Sequence, residues 1–130
     1  MTRSEAREQA FFVLFEKIFD NESTITEIVT KAEEAELIKI NSFAEKTLKI
    51  VEENAGAIDA LIDEHSKQWS LQRLPKVSLA ILRLAIGEIK FNDDVPVGVA
   101  VNEAVELAKK YGTADDASFV NGLLGTIIKA

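Results

Sequence analysis

The chain of 130 residues has no cysteine. Disulfides and thiolate metal sites are therefore excluded, and the composition fits a reducing, cytoplasmic setting. There is one histidine, His65, so a histidine-based metal cluster is excluded too. No stretch approaches the roughly 18 consecutive apolar residues of a membrane span, and the charged N-terminus, with Arg3, Glu5, Arg7 and Glu8, is not a secretory leader. Gly/Ser-rich linkers, low-complexity tracts and internal repeats are missing. So are the phosphate-binding loop, the dinucleotide fingerprint and the G-x-S-x-G elbow. Positive charge is also in short supply: the net charge is −7, whereas proteins that coat nucleic acid carry a basic excess. A small basic patch on an acidic body remains possible, with selectivity left to base contacts or to a partner.

What is present is hydrophobic content of 47%, enough for a packed core, arranged almost everywhere with helical periodicity. Thr2-Arg3-Ser4-Glu5 reads as a capping box opening a first helix, with Ala10, Phe11, Leu14, Phe15 and Ile18 as its stripe and an end near Asp20. Thr24-Ile25-Thr26-Glu27 and Ser42-Phe43-Ala44-Glu45 read as two further boxes. Gly56 separates the third helix from a fourth, whose stripe is Ile58, Leu61, Ile62 and His65. Pro75 and Pro96 each suit a helix start, where the missing N–H costs nothing. Between Val77 and Ile89 two apolar stripes coexist, which places that helix in the middle of the fold. Gly112 stops the sixth helix after Lys109 and Lys110, and the last runs from about Ser118. The fold class is all-α: a single domain, 1–130, of about seven helices around one central helix.

Catalysis finds little support. His65 lies on an apolar stripe near a helix end, the position of a packed or dipole-bound histidine. The acidic pairs Glu33/Glu34, Glu52/Glu53, Asp93/Asp94 and Asp115/Asp116 are adjacent in sequence and do not face each other on a helix. Glu103 and Glu106 share a face without a second ligand pair. No metal, no cofactor and no catalytic residue is expected.

Three features exceed a bland helical bundle. Arg3 and Arg7 stand one turn apart at the open end of the first helix, either as a phosphate clamp or as ordinary surface charge. Arg83 interrupts the central apolar helix, so its guanidinium must reach a carboxylate, solvent or a ligand. Phe119-Val120-Asn121-Gly122 turns Phe119 away from the core stripe of Val120, either as a base-stacking platform or as a second core facet. Phe12 and Phe19 add a second apolar face to the first helix, for core or dimer contact.

Ala6-Arg7-Glu8, Trp69-Ser70-Leu71-Gln72-Arg73-Leu74, Ala80-Ile81-Leu82-Arg83-Leu84-Ala85, Val95-Pro96, Val101-Asn102-Glu103-Ala104-Val105-Glu106-Leu107-Ala108-Lys109-Lys110-Tyr111-Gly112 and Phe119-Val120-Asn121-Gly122-Leu123-Leu124 together resemble the NusB family. The ordered set covers nearly the whole chain and is densest from Trp69 to Leu124. The resemblance implies two small helical subdomains, a three-helix part over about 1–55 and a four-helix part over about 56–130. It implies a bacterial transcription antitermination factor that binds the single-stranded boxA element of ribosomal RNA leader transcripts. The implied partners are NusE, a small-subunit ribosomal protein, and the RNA polymerase antitermination complex. By position it implies RNA contacts at Arg3, Arg7, Phe15, Arg83, Asp115, Phe119 and Asn121, with Asp115 in a loop feeding that surface. It places partner contacts at Gln72, Arg73 and Ser78. The family's arginine-rich opening is thinned here to Arg3 and Arg7, which implies weak RNA binding without NusE. The competing readings are a helical protein-interaction module with no RNA binding of its own, and an accessory domain of an RNA methyltransferase.

Overall fold

The computed structural model describes residues 1–67 and 69–129. It contains α1 (Arg3–Phe19), α2 (Ile25–Glu34), α3 (Ser42–Glu53), α4 (Ala55–His65), a 3₁₀ turn (Leu71–Arg73), α5 (Lys76–Phe91), α6 (Val97–Tyr111) and α7 (Ala114–Lys129), with no strand among the described residues. No helix among them is long and apolar enough to cross a membrane.

Local chemistry explains most boundaries. Thr2 and Thr24 each accept from the backbone N–H of Glu5 and Glu27, whose carboxylates return the bond, so both boxes form. Pro75 and Pro96 stand immediately before α5 and α6. The third box does not form. Asn41 caps α3 instead, its Oδ1 accepting from Phe43 N–H at 2.8 Å, and Ser42 is the first helical residue. The α3–α4 break falls at Asn54, with Gly56 already inside α4. Helix α7 begins four residues earlier than the periodicity indicated, because Thr113 and Asp116 form a reciprocal pair: Asp116 N–H donates to Thr113 Oγ1 and Thr113 N–H to Asp116 Oδ2. Asp115 is therefore in the first turn of a helix and not in a loop.

Helix α5 is the axis, and α1, α3, α4, α6 and α7 all pack on it. Leu79, Ala80, Ile81, Leu82, Leu84, Ala85 and Ile86 are all buried, so both of its stripes find partners and one hydrophobic core runs through the molecule. At Gly87 a Cβ would stand 2.8 Å from Val51 Cγ2, so the close approach of α3 to α5 requires the missing side chain.

Candidate functional site

The N-terminal turn of α1 separates the two arginines. Arg3 is exposed, and its guanidinium lies 4.2 Å from the centre of the Phe43 ring on α3. Arg7 is only 4% exposed. Its Nε donates to both oxygens of Glu88 on α5, at 2.8 and 3.1 Å, and its Nη1 lies 3.8 Å from Glu103 on α6. Ser4 Oγ donates to the same Glu103 oxygen at 2.7 Å. The expected exposed arginine pair is thus corrected: Arg7 is a buried tie between α1, α5 and α6, and Arg3 alone faces outward. Burial pushes the Glu88 carboxyl above its ordinary value, with the Arg7 hydrogen bond and charge pulling the other way.

Further along α1, Phe15 is half-buried in an aromatic cluster. Phe11 stacks on Tyr111 of α6 at 5.2 Å between centroids, Phe12 meets Tyr111 edge-on at 5.3 Å, and Phe15 meets Phe19 edge-on at 5.2 Å. Phe12 and Phe19 are 51% and 65% exposed. Beside them Glu8 accepts from Lys110 Nζ at 2.7 Å and from the Tyr111 hydroxyl. The Lys110 bond first, then the Tyr111 bond, holds the Glu8 carboxyl below its ordinary value.

On α7, Phe119 is half-buried against the core and Asn121 is exposed. Two helical residues apart means about 200° around the axis, so these two side chains leave α7 on opposite flanks of the core-facing Val120. Asn121 lines a groove of about 550 Å³ between α6 and α7, together with Asn102, Lys109 and Ser118. Asn102 and Lys109 also line the smaller groove that reaches Ser4 at the start of α1. A surface path therefore runs from the α1 N-terminus across α6 to Asn121. Asp115 is exposed in the first turn of α7.

The three partner positions divide as well. Gln72 and Arg73 are exposed on the 3₁₀ turn. Ser78 is fully buried and donates to Asp116 Oδ1 at 2.7 Å, so it cannot touch a partner directly and instead ties α5 to α7. Burial raises the Asp116 carboxyl, but the hydrogen bonds from Ser78 and Thr113 outweigh it and leave the group below its ordinary value. Gly112 belongs to the same corner, since a Cβ there would stand 2.6 Å from Asp116 Oδ2.

Arg83 finds a carboxylate. Its Nε and Nη2 donate to the two oxygens of Asp59 on α4, at 2.9 and 3.0 Å. The pair keeps 21% and 30% of its side-chain exposure, on the wall of a groove of about 630 Å³ between α1, the α3–α4 junction and α5. Gln72 lies on that same groove. His65 is half-buried with Nδ1 2.8 Å from Leu61 O, within its own helix.

Sequence reasoning passed over Phe43, Asn102 and Lys109. The first two have no local signal, because Phe43 is recruited by Arg3 from another helix and Asn102 by the shape of two grooves. Lys109 was visible only as a helix-end cation.

Polar groups spread over open faces and grooves, on a rigid helical scaffold, mark an all-helical binding protein. The comparison with known proteins makes this specific. The NusB family model matches residues 4–129, and the chain belongs to the NusB family. It is 44% identical over 133 residues to the transcription antitermination protein NusB of Agathobacter rectalis, covering 95% of this chain and 97% of the relative. Among solved structures it is similar to T. maritima NusB, with TM-score 0.86 and 33% identity over 99% of this chain and 92% of the other. It is similar also to a NusB chain in a structure of antitermination factors NusB and NusE in complex with dsRNA, with TM-score 0.84 and 30% identity over 99% and 98%.

Proposed function

We propose that this protein is a non-catalytic transcription antitermination factor that acts in the cytoplasm. It binds the single-stranded boxA element of ribosomal RNA leader transcripts together with NusE and so joins the RNA polymerase antitermination complex. The observation that carries this reading is the end-to-end similarity to proteins named as antitermination factors, one of them solved with NusE and dsRNA. The surface supports it. Arg3 stacked on Phe43 offers a flat cation, and Phe15 and Phe119 keep part of each ring accessible. Asn121 offers an amide in the α6–α7 groove. Those are the groups that recognise splayed single-stranded bases. Phe119 and Asn121 are proposed to contact RNA from the two flanks of α7, with Asp115 and the Arg83–Asp59 pair, which shares its groove with Gln72, as the remaining proposed RNA contacts. Gln72 and Arg73, beside the larger groove, are the proposed NusE contacts, and Ser78 acts on that face only through Asp116.

With Arg7 committed to Glu88, Arg3 is the one arginine of the α1 N-terminus left for phosphates, on a chain of net charge −7. RNA binding by the protein alone is therefore weak, shallow in its salt dependence and strengthened by NusE. The test titrates labelled boxA RNA, a scrambled strand and a duplex, each with and without NusE, at two salt concentrations. Selective single-strand binding that NusE strengthens is the expected result. Phe119→Ala is expected to weaken it by about 1–3 kcal/mol and, because the ring also packs against the core, to lower the melting temperature without unfolding the protein. NusE binding with no RNA selectivity would instead make the protein a helical interaction module.

A further inference from the structure

We infer that Phe12 and Phe19, which no assigned role uses, extend the RNA face into an aromatic ladder along α1 that stacks successive unpaired bases. The inference rests on the RNA-binding reading above and deepens it. The chain has seven phenylalanines, one tyrosine and one tryptophan, and four of those phenylalanines plus the tyrosine meet in this one cluster. Its inner ring, Phe11, is buried and its outer rings are not: Phe12 is 51% and Phe19 65% exposed, on either side of half-buried Phe15. From Phe12 to Phe19 the helix rises about 10 Å, room for roughly three bases at the ~3.4 Å spacing of a stacked strand. The rings are held for this use. Phe12 meets Tyr111 and Phe19 meets Phe15 at interplanar angles of 80° and 64°, so neither ring lies flat against that neighbour.

Two observations favour unpaired bases over a protein surface. The accessible parts of the two exposed rings amount to about 290 Å² at most, taking a full aromatic side chain as up to about 250 Å². A stable protein interface needs about 800 Å² on each side. Charge also argues for bases facing inward and phosphates outward. Exposed Glu16 lies within one turn of both rings, repelling phosphate and accepting from base amino groups, while Glu8 is already matched by Lys110 and Tyr111.

The test uses the full chain with boxA RNA carrying a fluorescent adenine analogue, with and without NusE. Phe12→Leu and Phe19→Leu keep apolar bulk and remove the π face. Each is expected to weaken RNA binding between about fivefold and a hundredfold, to relieve quenching of the analogue, and to leave the salt slope and the NusE affinity unchanged. Phe19→Trp is expected to retain binding. Leucine variants that bind and quench like the parent overturn the ladder, as does a loss confined to NusE affinity or to sedimentation behaviour. Parent protein that fails to select boxA at all overturns the RNA reading itself, and the ladder with it.

Discussion

The two ends of α5 hold their neighbours by opposite means. Along its N-terminal half the ties are partly wet: Ser78 to Asp116 of α7, and Arg83 to Asp59 of α4 on the wall of an open groove. At its C-terminal end the tie is sealed, with Glu88 1% and Arg7 4% exposed. Arg83–Asp59 and Arg7–Glu88 are the same chemical pair in different dielectrics. In the open pair water screens the attraction and also rescues either partner if the other is lost. In the sealed pair both charges have left water, and Glu88 depends on Arg7 for its only hydrogen-bonded cation. The open end can therefore take part in binding, while the closed end fixes the geometry of the α1 N-terminus, and with it the position of Arg3.

The comparison is broken most severely at the sealed end. Arg7→Ala strands Glu88 and is expected to cost about 3–5 kcal/mol of unfolding free energy near pH 7.5, measured by urea denaturation. The deficit should narrow on acidification. Without Arg7 only the smaller pull of the Arg3 charge opposes the burial that raises Glu88, so the stranded carboxyl takes up a proton as pH falls toward its ordinary value, and the penalty fades. The pair Arg7→Met with Glu88→Leu should recover most of the loss. A deficit below 1 kcal/mol for Arg7→Ala would show that the pair is as solvent-rescued as Arg83–Asp59. At the same end, Gly87→Ala should destabilise by about 1–3 kcal/mol through its clash with Val51, against the gain of about 1 kcal/mol that alanine brings to an open helix. Thermal melting checks this, and a raised melting temperature would contradict it.

Effects at the open end are smaller. Asp116→Ala removes the carboxylate's half of the α7 capping pair and the Ser78 bond together, leaving the Thr113 cap on the residue 116 N–H, and should cost about 1–2 kcal/mol. Asp116 is held below its ordinary value of 3.8, so its contribution is present above that value and lost as pH falls from it through the lower value of the folded state. The gap between parent and variant should stay level from neutrality down to about pH 4 and close below it. Smallest of all, Arg83→Ala should cost about 1 kcal/mol or less in stability. If Arg83 also serves RNA, its loss will weaken RNA binding by more than it destabilises the fold. Equal small changes in both would assign it to structure alone.

Much of the fold was legible because helices are local objects. Two of three proposed capping boxes form, both prolines stand at helix starts, and the doubly apolar helix is the central one. The failures share a cause. Asn41 and Ser42 are equally good caps by composition, and Asn41 wins where its own N–H is held by Gln9 Oε1 of α1 at 2.9 Å. The Thr113–Asp116 pair had the spacing of a capping box, but Asp116 is also engaged by Ser78, 38 residues away. The Phe119–Asn121 segment is contiguous in sequence, which does not record the flank of the helix on which each residue stands. The helix sends them to opposite flanks.

By itself the sequence determined the helices, the central place of α5 and the family, since periodicity, caps and ordered motifs are written along the chain. Only the tertiary structure decided the fate of the charged residues. Arg7 meets Glu88 across 81 residues of sequence and Arg83 meets Asp59 across 24. Whether such a pair is a sealed tie or an open contact depends on how much water the surrounding helices leave, and no local pattern records that.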